Sequence, residues 1–132
     1  MRRILVTGGR KYSNKEFVHK ILNNFLAKGP FILIHGDADG LDTLAKEWAI
    51  ENKVEQIPYP ALWKDFTQTP CNIKYGQFGK YNCLAGFNRN EQMLNEGKPK
   101  LCLAFPGGKG TADMKKRCKK ANILVISLSD EE

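Results

Sequence analysis

The chain has 132 residues, of which 42% are apolar and 27% charged, as is typical of one soluble globular domain. Lys and Arg outnumber Asp and Glu by 21 to 14, and the net charge of +7 suits anionic partners, although a lysine-rich solubilising surface explains it more simply. The apolar runs reach only strand length, which excludes a membrane span, and Gly8 interrupts the N-terminal run before a signal peptide forms. We expect a cytoplasmic protein without a membrane partner.

Strands and helices are predicted to alternate along the chain. Five apolar, β-branched runs predict strands at residues 3–7, 31–35, 54–57, 101–105 and 123–127. Apolar residues at helical spacing predict helices at residues 14–28, 41–52, 88–95 and 111–121. Apolar strands that alternate with helices form a parallel sheet covered on both faces. We therefore predict an α/β fold, a single Rossmann-like domain over residues 1–132 with an open five-stranded parallel sheet.

The predicted helix starts carry several polar signals. Ser13 and Glu16 have the spacing of a capping box, which predicts Ser13 as the N-cap of the first helix. Thr111 is placed to cap the last helix. Asn88 is a candidate cap or base-reading amide. Arg89 lies near the start of a helix, where a cation opposes the helix dipole, so we expect it to serve an anion.

Residues 58–86 break the alternation of strands and helices. This segment is rich in proline and glycine and carries five aromatic residues, Trp63, Phe66, Tyr75, Phe78 and Tyr81. A loop of this length in a compact domain is usually functional or mobile. We predict that residues 66–81 form an aromatic lid over a bound base.

The four cysteines lack the C-x-x-C spacing of a zinc or redox site. Cys102 lies in an apolar run and Cys118 on a predicted helix, so both are expected in the core. Cys71 and Cys83 bracket a polar loop, where a disulfide or a metal pair is disfavoured in a reducing compartment. No metal site is predicted from the cysteines.

Glycine-rich turns follow three of the predicted strands. They contain Gly8 and Gly9, then Gly36 and Gly40, and finally Gly107, Gly108 and Gly110. In an open parallel sheet, ligands bind beyond the C-terminal ends of the strands. These turns are therefore predicted to lie at one binding edge.

The turn at residues 105–114 is the most specific signal for a phosphate. Glycines let the backbone approach an anion closely, and the helix that follows offers free N–H groups and the positive end of its dipole. We predict phosphate binding by Gly107, Gly108, Lys109, Gly110 and Thr111. The turn is not a P-loop, because Gly110 separates Lys109 from Thr111. A tight turn without a ligand is the alternative.

Charged residues follow the other two turns. Arg10 can clamp a phosphate or a carboxylate, or it can face the solvent. After Gly36, the residues Asp37, Asp39 and Asp42 place three carboxylates within six positions, which suits a ribose diol or Mg²⁺. Asp is a common N-cap, so at least one of Asp39 and Asp42 is expected to be structural.

Four segments carry a family resemblance: residues 8–12 (GGRKY), 35–42 (HGDADGLD), 85–90 (AGFNRN) and 105–114 (FPGGKGTADM). In this order they resemble the YspA-like, cpYpsA-related branch of the SLOG superfamily, which consists of small Rossmann-like proteins frequent in bacteria and phages. The resemblance covers most of the chain and implies nucleotide binding. Residues 67–84 look like an insertion. Asp37 and Asp39 take the places of a Gly and an Arg in the usual pattern.

The superfamily also contains the Lonely-guy phosphoribohydrolases, which cut the N-glycosidic bond of nucleoside monophosphates. Arg89 and Met93 match their Arg-x-x-x-Met helix, and residues 106–111 match their P-G-G-x-G-T turn. The Glu that ends their motif falls on Met114, so Asp113 is the nearest carboxylate. If the chain is catalytic, we expect Asp113 and Arg89 to carry the chemistry, with Asp39 or Asp42 orienting the ribose. A carboxylate can stabilise the oxocarbenium-like state and activate water, and Met114 can do neither.

Three functions are compatible with the sequence. The first is a protein that senses or sequesters a nucleotide or processes it slowly, which the missing Glu favours. The second is an N-glycosidase that releases the base from a nucleoside monophosphate. The third is single-stranded nucleic-acid binding, because the DNA-processing branch of the superfamily binds such strands, and the last helix offers Lys115, Lys116, Arg117, Lys119 and Lys120. A solvated helix face explains those cations more simply. Bound Mg²⁺ and a homodimer are compatible with each function.

Overall fold

The computed structural model describes residues 1–130 and has an α/β architecture. The helices are α1 (Lys15–Leu26), α2 (Leu41–Glu51), α3 (Ala85–Gly97) and α4 (Lys109–Lys120). The strands are β1 (Arg2–Thr7), β2 (Phe31–His35), β3 (Gln56–Pro58), β4 (Ile73–Gly76), β5 (Gly79–Asn82), β6 (Leu101–Ala104) and β7 (Leu124–Ser127). No helix within residues 1–130 is long and apolar enough to cross a membrane.

The main sheet is parallel and has the strand order β3-β2-β1-β6-β7, which confirms the predicted five-stranded Rossmann-like sheet. β1 is central, and its Ile4 pairs with Leu33 of β2 on one side and with Leu101 of β6 on the other. The chain builds outward from β1 to β3 and then returns to β6. The strand order therefore reverses between β1 and β6, where open parallel sheets place their ligands.

Two separate apolar cores confirm that helices cover both faces of the sheet. On one face α1 and α2 pack together, and Trp48 stacks on Phe31 with ring centroids 5.8 Å apart. On the other face α3 and α4 pack together around the fully buried Met114. Cys102 and Cys118 lie in this second core as predicted, and both are free thiols.

Three helix starts differ from the sequence prediction. Asn14, not Ser13, caps α1, because its side-chain oxygen accepts a hydrogen bond from the N–H of Phe17 at 3.1 Å. Thr111 does not cap α4, which begins two residues earlier, after Gly108. α3 begins at Ala85 rather than at residue 88, and the fully buried Ala85 anchors this first turn. Tertiary packing thus extends α3 beyond its polar start signals.

The long segment contains an antiparallel hairpin, β4 paired with β5, which the sequence did not predict. All of β4 is exposed and β5 is buried only at its end, so no alternation of apolar residues signals these strands. Lys64 stabilises the hairpin, because its ammonium donates hydrogen bonds of 2.7 Å to the carbonyl oxygens of Phe78 and Lys80. The hairpin lies within residues 67–84. That this segment is an insertion relative to the family pattern stays a prediction.

Candidate functional site

A cavity of about 380 Å³ lies at the reversal of strand order between β1 and β6. Its volume is near the lower end of the range of small-molecule sites. Nine residues that the sequence singled out line it: Gly8, Gly9, Arg10, Asp42, Arg89, Gly108, Lys109, Gly110 and Thr111. The tertiary structure thus brings together residues from the turns after β1 and β6 and from α2 and α3.

The glycines of the turn before α4 have two different environments. A Cβ atom on Gly107 would overlap the side-chain oxygen of Thr111 and lie 2.7 Å from the backbone nitrogen of Gly9. At Gly108 and Gly110, by contrast, a Cβ atom would meet no other atom within 4 Å. Gly107 therefore lets the turn before α4 pack against the turn after β1, whereas Gly108 and Gly110 leave open space at the start of α4.

The starts of α2 and α4 differ in their capacity to hold an anion. The N–H of Leu41, the first residue of α2, already donates to the carbonyl oxygen of Gly9 at 3.1 Å, and Asp42 places a carboxylate in the same turn. The first turn of α4 has no acidic residue and begins with Lys109. The N-terminus of α4 is therefore the more electropositive of the two.

Asp42 is a buried carboxylate in the wall of the cavity. Its Oδ2 atom accepts hydrogen bonds from the N–H groups of Gly36 at 3.1 Å and Ala38 at 3.3 Å. Burial raises the pKa of Asp42, while the neighbouring His35 and Arg89 and the two backbone donors act in the opposite direction. Asp42 therefore holds the turn after β2. The N-cap role expected for Asp39 or Asp42 is wrong, because Gly40 occupies the N-cap of α2 and no side chain caps this helix.

Arg89 extends from α3 to the turn after β2. Its Nη1 atom donates to the carbonyl oxygen of Gly36 at 2.5 Å, and its Nε donates to Oδ1 of Asn90 at 3.1 Å. A Cβ atom on Gly36 would overlap the guanidinium group, so glycine is required there for Arg89 to approach. Burial lowers the pKa of Arg89, and Asp42 opposes that shift. The result is a partly buried cation in the wall of the cavity.

A second cavity of about 270 Å³ adjoins the first and shares Arg10, Ala38, Trp63 and Arg89 with it. Gly36, Asp37 and Asp39 line only this second cavity. Asp37 forms an ion pair with Lys46 at 3.3 Å, Asp39 is exposed, and Asp42 is buried. Within residues 1–130 no group of three His, Cys, Asp or Glu side chains is arranged to hold a metal ion, so these carboxylates do not form a common Mg²⁺ cluster.

The predicted catalytic residue Asp113 does not line either cavity. Its Oδ2 atom accepts hydrogen bonds from Asn90 at 3.0 Å and from Arg117 at 2.8 Å, the latter as an ion pair along α4. Asn88 also lies outside both cavities and donates to the carbonyl oxygen of Pro70 at 3.0 Å. Asp113 and Asn88 therefore have contacts within the protein, and their functional roles stay predictions.

The aromatic residues near the site are arranged differently from the predicted lid. Phe66, Tyr75, Phe78 and Tyr81 do not line either cavity within the described part of the chain. Trp63, just before the predicted lid, lines both cavities and contacts the edge of Tyr81 at a centroid distance of 6.3 Å. The irregular, aromatic-rich sequence around Trp63 was the only signal for it. Tyr12, which follows Arg10 in the turn after β1, packs against Phe105 with ring centroids 5.8 Å apart.

Comparison with known proteins identifies the family. The sequence model of the YspA, cpYpsA-related SLOG family matches residues 2–66. The Gene 61 protein of Mycobacterium phage D29 is 32% identical over 135 residues, a match that covers 99% of this chain and 99% of that protein. The chain belongs to the YspA, cpYpsA-related SLOG family. The expected family membership is thereby confirmed.

A solved structure has the same fold as this SLOG protein. DNA processing protein A (DprA) from Streptococcus pneumoniae superposes with a TM-score of 0.75 at 17% sequence identity. The match covers 99% of this chain and 51% of that protein, so this SLOG chain spans about half of the length of DprA. At this identity the likeness shows the fold alone.

Proposed function

We propose that the protein binds a nucleotide or a nucleotide derivative in the cavity between β1 and β6, as a sensor or a sequestering protein. The observation that carries this proposal is the open turn at Gly108–Thr111, which lies at the start of α4 in the same cavity as Arg10 and Arg89. Membership of the SLOG family and the resemblance to Lonely-guy proteins, which act on nucleoside monophosphates, agree with such a ligand.

The phosphate is proposed to bind at the start of α4. The first N–H groups of a helix have no partner within the helix, so they are available to phosphate oxygens. The free space beside Gly108 and Gly110 lets an anion approach this backbone. Lys109 and the partly buried Arg89 supply positive charge, and a phosphate would also offset the unfavourable desolvation of Arg89.

The base is proposed to bind beside Trp63. This side chain lines both cavities, and the guanidinium of Arg10 lies on it at 4.9 Å from the ring centroid. A planar cation on an indole ring provides a flat polar surface that suits a nucleobase. The volume of about 380 Å³ is that of a small ligand rather than of a polymer.

Binding is better supported than hydrolysis. Met114 occupies the position of the motif Glu and is fully buried in the second core, so it cannot act on a ligand. Asp113, the carboxylate next to Met114 in the sequence, is engaged by Arg117 and Asn90. An N-glycosidase would need Asp113 to leave these partners and turn toward the cavity.

Single-stranded nucleic acid is the second candidate ligand. The fold likeness to DNA processing protein A and the net charge of +7 favour it. The hairpin also exposes 82% of Tyr75 and 83% of Phe78, and exposed aromatic rings can stack on unpaired bases. Oligonucleotide binding that weakens steeply with salt would support this candidate.

Native mass spectrometry of the protein purified from its host tests the proposed function. A co-purified mass that matches a nucleotide, and that is lost from the Gly108→Val variant, would support nucleotide binding. Isothermal titration with nucleoside mono-, di- and triphosphates then gives the affinity and the preferred number of phosphates. A protein that carries no nucleotide and shows no titration heat with any of them would contradict the proposal.

A further inference from the structure

The carboxylate of Asp42 has one oxygen whose hydrogen-bonding capacity is unused. Oδ2 accepts two backbone N–H groups, whereas Oδ1 is buried and has no hydrogen-bond partner among the described residues. Only 8% of Asp42 is exposed, and the residue lines the cavity proposed for the nucleotide. We propose that Oδ1 of Asp42 accepts a hydrogen bond from a ribose hydroxyl of the bound ligand, so that the site selects ribonucleotides over deoxyribonucleotides.

An unpaired oxygen of this kind is unfavourable in the free protein. A buried polar group without a hydrogen-bond partner destabilises the free protein, and a charged group does so more strongly. Most such groups in folded proteins have a protein or water partner. A donor on the ligand would remove this unfavourable term. A ligand that carries the donor should therefore bind more tightly than the same ligand without it.

The neighbouring protein groups do not supply the missing donor. His35 is fully buried, and its Nδ1 accepts the N–H of Asp37 at 3.0 Å. Its other ring nitrogen, Nε2, faces Oε1 of Gln56 rather than Asp42. The Nε and Nη1 groups of Arg89 donate to Asn90 and Gly36. No donor of the described residues, Arg89 included, forms a hydrogen bond with Oδ1, so the proposed partner is a group of the ligand.

The chemistry of the cavity favours a hydroxyl as this donor. A phosphate cannot serve, because it would place a second negative charge against the carboxylate. The phosphate has its own proposed position at the start of α4, and Trp63 offers a surface for the base. A ribose connects a base to a phosphate and carries the neutral donors that a carboxylate can accept.

This inference rests on the proposed function, and paired ligands test it. Isothermal titration would compare the four common ribonucleoside 5′-monophosphates with their 2′-deoxy and 3′-deoxy counterparts. For the base that binds, we expect at least one deoxy form to bind about tenfold more weakly, the affinity change that corresponds to one lost hydrogen bond to a charged group. Equal affinities for all three sugars would overturn the inference and leave the nucleotide site intact.

The substitution Asp42→Asn replaces the unpaired Oδ1 and can keep the two hydrogen bonds that Oδ2 accepts. The amide oxygen can accept the N–H groups of Gly36 and Ala38, which places the NH₂ group, a donor, where Oδ1 was. We expect this variant to lose the preference for ribonucleotides. Glu47→Gln, an exposed substitution on the same helix, is the matched control and should keep it. A preference that survives Asp42→Asn would overturn the inference, and no binding of any nucleotide by the wild type would overturn the proposed function as well.

Discussion

The guanidinium of Arg10 lies over the indole of Trp63, with 4.9 Å between the guanidinium carbon and the ring centroid. Arg10 follows β1, whereas Trp63 precedes the hairpin, so the contact joins segments more than 50 residues apart. Both side chains line both cavities, so the pair forms part of the wall between them. Tyr81 of β5 packs against the same indole in an edge-type contact, so the hairpin contacts Trp63 and helps to hold it in place.

Removal of the Trp63 side chain tests the proposed position of the base. We expect Trp63→Ala to weaken nucleotide binding by about tenfold, since loss of one aromatic surface under a base is worth roughly 1–3 kcal/mol. Phe78→Ala is the matched control, because Phe78 is 83% exposed and lines neither cavity. Isothermal titration of both variants measures the effect. Equal losses in the two variants would argue against a base at Trp63.

The turn before α4 provides a test of phosphate binding. We expect Gly108→Val to abolish nucleotide binding with little change in melting temperature, because the new side chain enters open space and Gly108 has a negative φ of −103°. Gly107→Ala should instead lower the melting temperature, because its Cβ would overlap Thr111. Ala121→Val, an exposed substitution at the other end of α4, should change neither property. Full affinity in Gly108→Val would contradict phosphate binding at this turn.

Asp113 decides between binding and hydrolysis. We expect no base release when ribo- and deoxyribonucleoside monophosphates are incubated with the wild type and analysed by chromatography. Base release that falls by about 100-fold or more in Asp113→Asn would instead establish Asp113 as the acid–base group. Loss of the partly exposed ion pair with Arg117 should lower stability by only about 0.5 kcal/mol, so Asp113→Asn is expected to fold.

Met114→Glu tests whether the position of the motif Glu belongs to the core. Met114 is fully buried between α3, α4 and the sheet. A carboxylate there would have no hydrogen-bond partner, so we expect a loss of about 3 kcal/mol or more in the free energy of unfolding. Chemical denaturation gives this value, and Met114→Leu should stay close to the wild type. A stable Met114→Glu protein that releases base would show that the position can reach a ligand.

Ionisation of Tyr12 is expected to lower the stability of the protein at alkaline pH. Burial, together with the hydrogen bond to Asp130 and the negative charge of that residue, raises the pKa of Tyr12 to about 12. Because the folded pKa lies above the unfolded value of about 10, the contribution to stability is full below pH 10 and is lost as the pH rises toward 12. Absorbance titration should show one tyrosine that ionises late. Tyr12→Phe should lack this phase, and wild-type stability should fall faster than that of the variant above pH 10.

Much of the fold follows from local sequence patterns. The apolar strands at β1, β2 and β6 need burial on both faces, and this requirement alone predicts a parallel sheet with helices on each side. The glycine-rich turn before α4 was also evident from the sequence. In the structure Gly107 has no room for a side chain, whereas Gly108 faces open space. These features depend on neighbours in the chain and on the period of the apolar residues, both of which are visible in the sequence.

The tertiary structure decided which candidate residues belong to the cavity. Asp37, Asp39 and Asp42 are equivalent in sequence, but only Asp42 is buried against the turn after β2 with one oxygen left unpaired. Arg89 reaches Gly36 across 53 positions, and Trp63 meets Arg10 across a similar distance in sequence. Asp113 is held by Arg117 and Asn90 outside the cavity. Burial, pairing and long-range contact arise only when separate elements pack together, so the spacing of residues along the chain does not encode them directly.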